Sequence, residues 1–236
     1  MESIKELKKI CQPSLAEETW YVRNLPRRLS IYLTRVLLST KINANQITAV
    51  MFVVVIATGI FLGLGEYVDR LVGVACLQLF ILLDCVDGEI ARYKKQVSAK
   101  GAYLDLVIND VSHISIFMGL SIGLFRNPDL ISNIIPSTII MVLGISAVIF
   151  QLLDQRSIAC LTEAGVKSSD FAKPLLRDKK LKLLKSWLLF LIEPIHVINI
   201  VTIAAMLNIL SLVLIGYGIF FPLWWIVSVA TKFRKI

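Results

Sequence analysis

Long apolar runs separated by short polar stretches set the outline of this chain. Residues 42–65 carry no charge and are long enough to cross a bilayer, which takes about 20 apolar residues in a helix. Residues 66–70 form a short polar turn. A second run begins near Leu71, is interrupted up to Leu83 only by Gly and Gln, and closes in a polar stretch that reaches Tyr93. Residues 94–100 make a basic loop, Gly101 opens a third run that ends near Phe125, and residues 126–129 give the next turn. Residues 130–153 are uncharged and form a fourth span, with Pro136 in its first turns. The last uncharged stretch, 194–231, is too long for one comfortable helix. Gly216-Tyr217-Gly218 is the predicted break into two passes, and one long kinked helix is the alternative. The pattern predicts an all-α fold, a polytopic membrane bundle of six transmembrane helices.

Residues 1–26, ahead of these spans, are mixed and polar, with Pro13 and Pro26 as breakers and nothing that suggests chemistry. From Arg27 to Lys41, apolar Leu29, Tyr32, Leu33, Val36 and Leu37 alternate with Arg27, Arg28, Thr34, Arg35 and Lys41 at helical spacing. Such a helix is too short to span and is expected to lie as an amphipathic, interfacial element on the cytoplasmic surface; packing on protein fits the same pattern. Asn45 is a candidate N-cap for the first span. A polar, basic segment at 154–193 holds a second amphipathic candidate at 179–190. The chain is thus expected to divide into an N-terminal cytoplasmic segment, 1–44, and a six-span membrane domain, 45–236. With the N-terminus, the 94–100 loop, the 154–193 segment and the tail in the cytoplasm, only Arg70 and Arg126 of the 25 Lys and Arg fall on the opposite side. Cytoplasmic loops carry the excess of positive charge, so both termini are expected inside. A five-span arrangement would strand Lys232, Arg234 and Lys235 outside.

Composition sharpens the membrane reading. Hydrophobic residues make up 56% of the 236, and the mean hydropathy is +0.75, beyond an ordinary soluble domain. The net charge of +8 does not point to nucleic acid, because the basic residues flank apolar runs. Anionic membrane lipids and phosphorylated substrates are the expected partners. Cys11, Cys76, Cys85 and Cys160 show neither metal-site nor disulfide spacing. The first residues lack a signal-peptide pattern, so the first span is expected to serve as the insertion signal.

The exceptional stretch is 84–110. Acids at the end of a membrane-length apolar segment are expensive and invite a functional explanation. On a helix, Asp84, Asp87 and Gly88 share one face with Ala91 a turn further on, and Asp105 and Asn109 share a face of the next helix. Two helices can thereby gather three carboxylates and a carboxamide, with Asp110 close by, an oxygen-rich set suited to a hard divalent cation. Residue by residue, this stretch resembles the CDP-alcohol phosphotransferase signature, Asp-x2-Asp-Gly-x2-Ala-Arg-x8-Gly-x3-Asp-x3-Asp. Asp84, Asp87, Gly88, Ala91, Arg92, Gly101 and Asp105 match with the spacing kept, and Asn109 stands where the family has its fourth aspartate. Asn45-Gln46-Ile47-Thr48 is similar to the start of that family's first span, with Ala44 where proline is usual.

What the resemblance implies is transfer of a phosphoryl-alcohol group from a CDP-linked donor, with release of CMP. The pyrophosphate charge must be neutralised, the leaving CMP stabilised and the acceptor hydroxyl deprotonated. Asp84, Asp87 and Asp105 are the expected ligands of Mg2+ or Mn2+, and two such ions about 3.5–4 Å apart can clamp the attacking and leaving oxygens. Carboxylates paired with Arg92 and nearby lysines are the alternative. Gly88 and Ala91 leave a helix face bare, either for close approach of a nucleotide or for tight helix packing. The family relation implies cytidine and phosphate contacts at Gly88, Ala91 and Gly101, with Arg92 as a phosphate partner, although Gly101 also reads as a helix start. Glu89 points away from the Asp84 face and reads as a supporting or surface acid, and Cys85 as a small buried residue.

In the family, the fourth aspartate is taken to ligate metal and to act as the base. Asn109 can ligate through its oxygen but is no practical base, which leaves three readings. Asp110 supplies the carboxylate if the helix is locally over- or underwound, being turned about 100° from Asn109 on an ideal helix. His113, one turn on, is the base, with an ordinary pKa of about 6.5. Or the protein binds a CDP-alcohol and turns it over poorly.

A lipid donor such as CDP-diacylglycerol would enter sideways between spans. The basic residues from Arg156 to Lys185 are candidates for receiving a polar or phosphorylated acceptor, and the Asp-Gly-Glu-Ile-Ala-Arg wording is similar to enzymes that handle inositol phosphates or related polyols. A homodimer is the family's usual assembly. Two rival classes make different demands. Membrane prenyltransferases need a second Asp-rich motif, where residues 130–236 offer scattered acids only. A cation transporter needs ionisable groups on several spans, where these cluster at one face. The expected function is therefore that of a transferase in phospholipid synthesis, held in the cell membrane with its site towards the cytoplasm.

Overall fold

The structure, a computed structural model, describes residues 3–12, 20–40, 42–96, 98–129, 131, 134–163, 191 and 194–233. Among these residues the fold is all-helical. The helices are α1 (Ile4–Cys11), α2 (Trp20–Asn24), α3 (Pro26–Leu38), α4 (Ala44–Leu64), α5 (Tyr67–Tyr93), α6 (Ala99–Arg126), α7 (Ser137–Glu163), α8 (Pro194–Met206) and α9 (Leu210–Phe233). Five of the described helices are long and apolar enough to cross a membrane: α4, α5, α6, the Ser137–Ser157 part of α7 and the Leu210–Ala230 part of α9. The 13 residues of α8 extend about 20 Å at 1.5 Å per residue, short of a hydrocarbon core of about 30 Å.

Helix boundaries follow local chemistry, and several depart from the sequence expectation. The break in the last apolar stretch lies at Leu207–Ile209, not at Gly216-Tyr217-Gly218. Asn208 adopts φ 54° there, and Ile209 N–H bonds to Ala204 O at 2.9 Å, the left-handed C-terminal motif that Asn tolerates. Helix α9 runs unbroken through both glycines. The first span starts at Ala44. Asn43 N–H donates to Gln46 Oε1 at 3.0 Å and Asn43 O accepts from Gln46 N at 3.0 Å, so Asn43 holds the capping position and Asn45 lies inside the first turn. Pro136 immediately precedes α7, and α7 continues ten residues past Leu153. The amphipathic candidate at 179–190 lies outside the described residues.

The chain forms two compact units. One comprises residues 1–58 and 75–112, the other residues 59–74 and 113–236. In the first unit, Ser3 caps α1 reciprocally. Its backbone N–H and Oγ–H donate to Glu6 Oε2 at 2.8 and 2.7 Å, which holds the Glu6 carboxyl below its usual value. Leu7 and Cys11 of α1 pack with Ile31 of α3, flanked by Ile4, Leu38 and Tyr93. Tyr21 of α2 donates to Gln78 Oε1 at 2.6 Å, and burial pushes its phenol pKa up.

Helix α3 faces the protein with an unexpected stripe. Ser30, Ile31 and Thr34 are buried, while Leu25 just ahead of the helix and Leu29, Tyr32 and Val36 within it are exposed. The reason is Glu89 of α5, which is 0% exposed and accepts from Ser30 Oγ and Thr34 Oγ1 at 2.6 Å each. A buried carboxylate is tolerated only when hydrogen-bonded, so the hydroxyl face turns inward.

The second unit is held by close helix contact. Gly59 and Gly63 on α4 meet Gly119 and Gly123 on α6, with spacing of four on each helix. A Cβ on Gly119 would lie 2.7 Å from Gly59 O, and one on Gly123 would lie 2.0 Å from Leu62 O. Small residues at this spacing let backbones touch, which is how apolar helices associate in lipid. Gly218 of α9 serves the same end against Leu143 of α7.

Candidate active site

Helix α5 ends in a Schellman motif. Lys95 has φ 53°, and Gln96 N–H bonds to Ala91 O at 2.8 Å. The chain then turns back and Ser98 caps α6, its Oγ accepting from Gly101 N at 3.1 Å. This tight return sets the last turns of α5 beside the first turns of α6. Between them and the start of α4 lies a cleft of about 300 Å3, lined by Arg27, Ala44, Asn45, Thr48, Asp84, Asp87, Gly88, Ala91, Arg92, Gln96, Ser98, Gly101, Ala102 and Asp105.

The cleft therefore gathers Asp84, Asp87 and Asp105 with Gly88, Ala91, Arg92 and Gly101. Asp84 and Asp105 are exposed and Asp87 is half-buried. Thr48 Oγ1 lies 3.3 Å from Asp87 Oδ1 and 3.0 Å from Ala44 O, so one hydroxyl proton is shared between them. Gly88 has a steric task here. A Cβ on it would sit 3.2 Å from Nη2 and 3.3 Å from Nη1 of Arg92, so its bare backbone is where the Arg92 guanidinium rests. Arg92 Nε also donates to the carbonyl of Cys11. Arg27 reaches the cleft from the first turn of α3, its Nη1 donating to Cys85 O at 3.1 Å and to Glu89 Oε1 at 3.2 Å.

Among the described residues, no three or more His, Cys, Asp or Glu side chains lie close enough together to hold a metal ion by themselves. The cleft's offer is three carboxylates along its walls, hard oxygen donors of the type Mg2+ and Mn2+ accept. Asn109, Asp110 and His113 do not line the cleft. Asn109 and Asp110 are half-buried, and the Asn109 backbone carbonyl accepts from Ser112 Oγ at 2.7 Å. His113 belongs to the other unit and is 1% exposed. Its ring lies parallel to Phe117 with centroids 6.5 Å apart, and neither ring nitrogen has a hydrogen-bond partner.

Sequence reasoning passed over Arg27, Gln96, Ser98 and Ala102, and took Asn45 for a cap. Ala102 lies one turn before Asp105 on its face, which was a usable signal. Thr48 was visible only as part of the motif that opens the first span. Nothing local marks Arg27, because its place depends on Glu89, 62 residues away.

The sequence model of the CDP-alcohol phosphatidyltransferase family matches residues 41–229. The chain belongs to that family. Within the CDP-alcohol phosphatidyltransferases, it is 34% identical over 87 residues to the bifunctional IPC transferase and DIPP synthase of Aquifex aeolicus (strain VF5). That match spans 37% of this chain and 19% of the relative's length. The fold is similar to the crystal structure of the phosphatidylinositol phosphate synthase of Mycobacterium tuberculosis, solved with CDP-DAG bound. The TM-score is 0.61 at 14% identity, covering 86% of this chain and 93% of that one.

Proposed function

We propose that this protein transfers a phosphatidyl group from CDP-diacylglycerol to a polyol acceptor, an inositol phosphate or a related headgroup, and releases CMP. The observation that carries the reading is the cleft itself, which collects Asp84, Asp87, Asp105, Gly88, Ala91, Arg92 and Gly101 in a chain of this family. The curated relative's name and the lipid-bound synthase support a CDP-lipid donor and an inositol-type acceptor.

Asp84, Asp87 and Asp105 would hold Mg2+ or Mn2+, one ion or two, with substrate phosphates and water completing the shell, as is usual for Mg2+. When bound, the metal neutralises the pyrophosphate and stabilises the leaving CMP. The chain's own residues do the rest. Arg92, resting over Gly88, pairs with a phosphate, Ala91 admits the nucleotide close to the backbone, and Thr48 steadies Asp87. A base must reach the proton it removes. None of Asn109, Asp110 and His113 lines the cleft, so a base from α6 has to move towards it when substrate binds. Asp110 is half-buried where His113 is sealed in an apolar setting, and Asp110 is the base we assign, with Asn109 as an oxygen donor. Activity lost in Asp110→Ala and kept in His113→Ala is the expected outcome; the reverse assigns the role to His113.

The same reading carries the membrane arrangement. Residues 1–44 form a cytoplasmic segment in which α3 lies at the interface, its exposed Leu29, Tyr32 and Val36 in the lipid. Residues 45–236 form a six-span domain in which α8, shorter than the hydrocarbon core, makes the remaining pass with the bilayer locally thinned around it. Both termini and the cleft face the cytoplasm, and two copies form a homodimer.

The test is CMP release by purified protein in nanodiscs given CDP-diacylglycerol, Mg2+ or Mn2+, and inositol phosphate, inositol, glycerol phosphate or serine in turn. Metal-dependent CMP that requires one acceptor and vanishes in Asp84→Ala is expected. CDP binding without CMP under any acceptor would overturn the transferase reading in favour of a binding homologue; renewed CMP in Asn109→Asp would then locate the loss.

A further inference from the structure

The family match begins at residue 41, yet the bonds that fix the cleft's arginines link residues before it to residues after it. The side of α5 turned from the cleft carries Cys85 and Glu89. Glu89 Oε1 accepts from Ser30 Oγ at 2.6 Å, Gln12 Nε2 at 2.9 Å and Arg27 Nη1 at 3.2 Å, and Oε2 accepts from Thr34 Oγ1 at 2.6 Å. All four donors lie within residues 1–40. Gln12 Nε2 also donates to the backbone carbonyl of Arg27 at 2.9 Å, so it grips both ends of the Arg27–Glu89 pair. Arg92, on the cleft side, is tied to the carbonyl of Cys11.

Burying a carboxylate is costly unless partners compensate it, so these donors are held firmly. Arg27 inherits that restraint. Its side chain is 12% exposed, and it lines the cleft together with Asp84. Glu89 thus anchors the Arg27 guanidinium in the cleft wall. A fork-shaped cation fixed in a wall beside three carboxylates is suited to an oxyanion brought in by the substrate.

We propose that helices α1 and α3, with Gln12 just past α1, complete the cleft of this protein: Glu89 and Gln12 hold Arg27 in its wall as a phosphate-binding cation, beside an Arg92 seated over Gly88 by the Cys11 carbonyl. The proposal rests on the reading that the cleft takes a CDP-linked substrate. Arg27 touches phosphate, and Glu89 and Gln12 are positioning residues. The phosphate belongs to the CDP-linked donor or to a phosphorylated acceptor.

The experiment uses the full chain in nanodiscs with Mg2+. It measures CDP affinity by titration calorimetry, KM and kcat for CDP-diacylglycerol and for inositol phosphate, and the unfolding midpoint. The variants are Arg27→Lys, Glu89→Gln, and the double change Arg27→Met with Glu89→Gln, which removes both charges and so leaves none buried alone. Arg27→Lys and the double variant are expected to bind phosphate roughly tenfold more weakly at a near-native unfolding midpoint. Glu89→Gln is expected to raise KM with kcat little changed, which a purely structural pair would not do. Weaker CDP binding assigns Arg27 to the donor; unchanged CDP binding with a raised KM for inositol phosphate assigns it to the acceptor. Native values for both substrates in the folded double variant would overturn the proposal. No CDP binding by the unaltered protein would overturn the function proposed above, and this inference with it.

Discussion

Asp84 and Asp154 are both carboxylates on long apolar helices, one in each compact unit, and their surroundings differ. Asp84 is exposed in a cleft it shares with Asp87 and Asp105. Asp154 is buried and accepts from Trp224 Nε1 at 3.0 Å and Ser228 Oγ at 2.6 Å, tying α7 to α9. Asp129 and Arg70, also buried in the second unit, follow Asp154. Asp129 accepts from Ser211 N at 2.8 Å and Ser211 Oγ at 2.7 Å, closing the start of α9. Arg70 donates to Asn208 Oδ1 at 3.0 Å and to the Asn127 carbonyl. A charge at membrane depth is a sign of function chiefly when its partners must come from outside the chain. Where the chain supplies them, the charge is a fastening between helices.

That contrast can be broken at several points. Asp84→Asn should lower the rate of CMP release on the order of a thousandfold, about 4 kcal/mol in the barrier, with little change in unfolding midpoint. An equal loss of stability would make Asp84 a fastening like Asp154. Gly123→Ala should do the opposite, costing about 3 kcal/mol of stability because a methyl cannot share space with the Leu62 carbonyl; detergent unfolding measures it. Asp154→Ala should cost about 2 kcal/mol by leaving Trp224 and Ser228 donors unmatched, while activity per folded molecule stays within about twofold. A much larger loss of activity would place Asp154 in the chemistry. The smallest effect has the other sign. Lys95→Gly should stabilise the first unit by about 1 kcal/mol, since Lys95 pays the left-handed penalty that glycine escapes. An unchanged midpoint would mean that its side chain returns as much as its backbone costs.

Much of this was written in local pattern. Spans α4 to α7 follow apolar runs, and the cleft residues of α5 and α6 follow the helical spacing of 84–105, because hydropathy and periodicity are properties of neighbouring residues. The pairs Gly59/Gly63 and Gly119/Gly123 carry a local signal too, small residues four apart, but it was passed over. What stayed hidden depends on distant partners. The inward face of α3 is polar only because Glu89 waits for it, and residues 3–12 look featureless until Cys11 and Gln12 meet Arg92, Arg27 and Glu89. Asn208 took the break that glycines at 216 and 218 advertised. Gly218 is needed for contact with Leu143, and a Cβ on Gly216 would meet nothing within 4 Å.

The Arg70 junction also bears on how the chain is made. Arg70 is 3% exposed, and its two partners follow 57 and 138 residues later. At about 5–20 residues per second of synthesis, Asn127 emerges roughly 3–11 s after Arg70 and Asn208 roughly 7–28 s after. Through that interval the guanidinium has no finished seat in the protein and must stay with water or lipid headgroups. This part of the bundle therefore matures late, and its lock closes only once the turn ahead of α9 has left the ribosome.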